Sequence, residues 1–74
     1  MFNVYYFKNW DTEHKELIAS KSTKKEAWEC VKKHYGKDIP YSRIIIAAPN
    51  EHQYDVGSHI HFYSIENTEG DMPL

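Results

Sequence analysis

Apolar and polar positions divide the chain into five stretches. From Phe2 to Trp10 (FNVYYFKNW) aromatic and β-branched residues stand at both parities, which predicts a strand covered on both faces. Asn9 to Glu13 supplies turn chemistry, and His14 to Ser20 (HKELIAS) alternates weakly, as a short, polar strand at a sheet edge would. A helix of about 12 residues is predicted between Thr23-Lys-Lys-Glu26, which fits a capping box, and Gly36, a natural left-handed terminator. Its spacing gathers Ala27, Trp28, Val31 and Tyr35 on one face, with Lys24 and His34 at the margins and Lys25, Glu26, Glu29 and Lys33 pointing away.

After a turn at Asp38–Tyr41, Arg43 to Ala48 (RIIIAA) is apolar at both parities and predicts a central strand. Pro49 and Asn50 end it. The last strand is read in Val56 to Ile65 (VGSHIHFYSI), extended backward through Tyr54, with Gly57 at a bulge. The predicted architecture is α+β in two layers: a four-stranded antiparallel sheet, ββαββ in order 2-1-3-4, with one helix on one face. A single domain spans 1–66, and 67–74 (NTEGDMPL) forms a flexible tail.

One helix covers one face, yet the strands are apolar at both parities. The spare face is therefore an expected interaction surface. Tyr5, Phe7, His59, His61 and Tyr63 are assigned to it, and Val4, Tyr6, Ile60 and Phe62 form the complementary set. Aromatic residues are enriched at interface cores, so another protein or a second copy of the chain is the expected partner.

Length and charge narrow the picture. Seventy-four residues make one small domain, and the lone Cys30, away from the helix N-terminus, reads as an inert half-buried thiol in a reducing compartment. The first ten residues lack a basic leader and no apolar run reaches spanning length, so a soluble, cytoplasmic protein is expected, of the small accessory or regulatory type found in bacteria and phages. The net charge of −2 is uneven: residues 21–37 carry six Lys against two Glu, and residues 38–74 carry Arg43 against six acids.

Three other chemistries can be written for these residues. His59 and His61, two apart on a strand, share a face and could hold zinc if further ligands converged. The cupin barrel often carries such a strand pair, but on a longer chain with ligand motifs absent here. The spare aromatic face with Lys21, Lys24, Lys32 and Lys37 has the materials of a single-stranded nucleic-acid surface. Glu51, His52 and Asp55, read as one loop, could polarise one another, yet no phosphate cradle or serine elbow accompanies them. The sequence thus points to a non-catalytic protein-binding or self-associating module, with nucleic-acid binding and metal binding as alternatives.

Overall fold

A computed structural model describes residues 1–39, 42–58 and 60–69. Among them the chain forms one helix and a five-stranded antiparallel sheet: β1 (Phe2–Lys8), β2 (Glu16–Lys21), α1 (Lys24–Tyr35), β3 (Arg43–Ala48), β4 (Glu51–Asp55) and β5 (His61–Asn67). The α+β class and the single packed helix follow the sequence reading. Strand number and order do not: the sheet runs β2-β1-β5-β4-β3.

The difference arises at Pro49 and Asn50. They are the turn of a hairpin, and the polar run after them, Glu51-His-Gln-Tyr-Asp55, is a strand whose residues alternate between the two faces. The extra strand takes the place beside β5 and pushes Arg43–Ala48 to the edge. The central strand is instead β5, hydrogen-bonded on one side to β1 and on the other to β4. It runs through Asn67, one residue into the stretch assigned to the tail, and Thr68 N–H donates to the Met1 carbonyl. The rest of that stretch, 70–74, lies outside the described residues.

Register decides which residues meet the helix. Val4 lies opposite Ile65, and Tyr6 opposite Tyr63, which lies opposite Tyr54 in turn. These side chains, with Val56, pack against Ala27 and Val31 to form the core. A bulge sets Val4 against Ala19 but Tyr5 against Leu17, so both Ala19 and the extra Ile18 pack against that core.

The helix ends are closed locally. Thr23 Oγ1 accepts from Glu26 N–H at 3.1 Å, and the Glu26 carboxylate accepts from the hydroxyls of Ser22 and Thr23, each at 3.0 Å. Those hydroxyls lower the Glu26 pKa. Gly36, at φ 74°, gives its N–H to the Lys32 carbonyl. The helix packs on β1, β2 and β5, and a helix roughly 10 Å wide cannot cover a sheet of five strands about 19 Å across. Trp28 reaches Tyr54 on β4, with 5.0 Å between ring centroids, and the helix-side surface of β3 lies beyond it.

Candidate functional site

The five residues assigned to the spare face are divided between two faces. Even positions of β1 stand opposite odd positions of β5, so parity counted on one strand does not carry over to the other. Tyr5 and Phe7 point to the open face. Tyr63 packs in the core under the helix, His61 pairs with Tyr6 on the same side, and His59 lies outside the described residues. The complementary set divides too: Val4 and Tyr6 are on the helix side, Phe62 is opposite Phe7 on the open face, and Ile60 is exposed before β5.

The aromatic open face is covered by the chain itself. Asn9 and Trp10 both have positive φ, 53° and 59°, and Asp11 N–H donates to the Lys8 carbonyl, as in a type I′ turn. The turn lays the Trp10 ring over Phe62 at 4.2 Å, and Phe7 and Phe62, 5.7 Å apart, are each 1% exposed. Further along this face Lys15 stands over the Tyr5 ring and donates to the Glu51 carboxylate at 2.7 Å, which also accepts from Ser64 Oγ at 2.6 Å. Burial alone would raise the Glu51 pKa, but these hydrogen bonds and the ammonium charge bring it below its usual value.

A tyrosine–histidine cluster closes the helix side near the C-terminal end of α1. Tyr6 Oη lies 2.6 Å from His61 Nδ1, and Tyr63 Oη lies 2.9 Å from His34 Nδ1. Burial, with Tyr6 and Tyr35 nearby, pushes the Tyr63 pKa up to about 12. A phenol held so far from ionising supplies no phenolate for base chemistry near neutral pH.

The remaining candidates do not converge. On β4, Glu51 faces Lys15 on the open side and Asp55 caps the N–H of Gly57, while His52, opposite Ile46 and Ile65, faces the helix side; desolvation, then the charge of Lys24, lowers its pKa. Among the described residues no three His, Cys, Asp or Glu side chains form a group able to hold a metal ion. Lys21 ends β2, Lys24 begins α1 beside Trp28, and Lys32 and Lys37 stand near Glu29 and Asp38, so the four lysines share no surface with the open aromatic face. Cys30 is half-buried beside Ile18 and Ala19.

The surface left over is one that sequence periodicity did not select. Ile44 and Ile46 point to the helix side of β3, outside the strands on which α1 packs, and are 55% and 69% exposed. Beside them a groove of about 340 Å³ runs between the helix and the sheet, lined by Lys24, Trp28, Ser42, Ile44, Tyr54 and Ile65. Among the described residues β3 has β4 on one side only, so its other edge offers unpaired backbone groups. The signal for this surface was the Pro49-Asn50 turn: a hairpin there makes the most apolar run of the chain an edge.

No protein-family model, curated protein or solved structure matches the chain. No described helix is long and apolar enough to cross a membrane.

Proposed function

We propose that the protein is a non-catalytic protein-binding module whose docking surface is the free edge of β3 with Ile44 and Ile46. The observation that carries this reading is an edge strand with two large aliphatic side chains in water and a single charge, Arg43, at its start. Exposed apolar edges recruit other strands, and proteins whose edges stay free blunt them with charge, proline or bulges. Both edge strands pair inward through a bulge, β3 at Ala47, but β2 has charges at both ends, Glu16 and Lys21, whereas β3 has Arg43 alone. The phenol–imidazole pairs and the separated Glu51, His52 and Asp55 favour binding over acid–base catalysis.

The test is a photo-crosslinking residue in place of Ile46, with the same residue at exposed Lys25 on the helix as control. Discrete protein adducts from position 46 in cells, absent from position 25, are the expected result. Equal or absent labelling at the two positions would remove the reading.

A further inference from the structure

Resting on that reading, we infer that the partner at the β3 edge is a second copy of the chain, paired antiparallel about Ile45. A two-fold axis through the sheet at Ile45 sets Ile44 of each copy opposite Ile46 of the other. The four exposed isoleucines then form one apolar cluster, with directly opposed side chains on the same face. Charge agrees with this register. The two Arg43 side chains are separated by about 14 Å along the strands, beyond the ~8 Å screening length, whereas parallel in-register pairing would set them side by side.

Proline and the helix agree as well. Pairing about Ile45 joins residues 44–46, stops short of the bulge at Ala47, and leaves Pro49, which has no N–H to give, outside the ladder. Both helices fall on the same face of the joined sheet, and because α1 is set over β1, β2 and β5, four strands (β4 and β3 of each copy) separate them. The two Trp28-Tyr54 grooves then face each other across the isoleucine cluster.

The test uses two single variants, Ile46→Lys and Ile44→Glu, with solution mass measured by sedimentation and folding by circular dichroism. The wild-type chain is expected to dimerise as its concentration rises. Each variant, placing an unpaired charge against isoleucine, is expected to raise the dimer dissociation constant by about tenfold or more while remaining folded. Mixing the two restores the dimer, because the inferred register sets the new ammonium at position 46 of one chain against the new carboxylate at position 44 of the other and leaves isoleucine against isoleucine at the second crossing. Should Ile44→Glu misfold, Ile46→Lys and the wild type still decide between self-association and none. Dimers that ignore Ile46→Lys, or variants that stay apart on mixing, overturn the register. A wild-type chain that stays monomeric overturns the second copy, and crosslinks from position 46 then separate the cases: a foreign protein keeps the docking edge, and none removes it too.

Discussion

Two residues show where local cost is offset by packing. Trp10 occupies the left-handed region at φ 59°, disfavoured for a bulky side chain by roughly 1–2 kcal/mol, and its ring lies on Phe62. Trp10→Ala loses the ring and keeps the strain, whereas Trp10→Gly loses the ring and relieves it. Thermal melts are expected to place the glycine variant above the alanine variant by about 1 kcal/mol, with both below wild type. Equal stability would mean that the turn is unstrained. Glu51 is the second case, with a side chain only 15% exposed and two short hydrogen bonds. Its folded pKa is depressed, so the contribution is present above the ordinary carboxylate range and fades as pH falls through the folded value. Denaturant melts of Glu51→Gln are expected to show a loss of about 1–3 kcal/mol at pH 7 that narrows at pH 3; a loss independent of pH would locate the effect outside the carboxylate charge.

Among the elements, α1 was legible because its signals are local: a Thr hydroxyl at the start, a Gly at the end and an apolar stripe between them. Strand existence was legible for β1, β2, β3 and β5 for the same reason. What periodicity could not supply was register and neighbour choice, which are set by turns and by long-range pairing. Glu51–Asp55 hid its strand character behind polar residues, and β3, apolar at both parities, imitated a central strand while lying at the edge. The open aromatic face was legible as a surface in need of a cover, but a turn with two positive φ angles, folding Trp10 back, could not be read from composition. Amide hydrogen exchange provides the test at this scale. In dilute solution β5, bonded on both sides, is expected to exchange slowest and the outward amides of β3 fast, with the β3 amides becoming protected as concentration rises. Concentration-independent exchange in β3 would speak against edge pairing.

At the scale of the whole molecule, one helix is too narrow for five strands. The chain resolves this on the open face with its own β1–β2 loop, and on the helix side it leaves β3 uncovered. A domain of this length buries only about 60% of the surface its unfolded chain exposes, so further apolar burial gained from a partner is a large fraction of what holds it. Pairing at β3 would cover Ile44 and Ile46 and satisfy the edge backbone in one step, and would join two small cores into a continuous sheet. The most direct measurement is the sedimentation mass of the wild-type chain across a concentration series, beside Ile46→Lys. The account predicts a shift from 8.8 kDa toward twice that mass for the wild type and a folded monomer for the variant; identical behaviour of the two chains would contradict it.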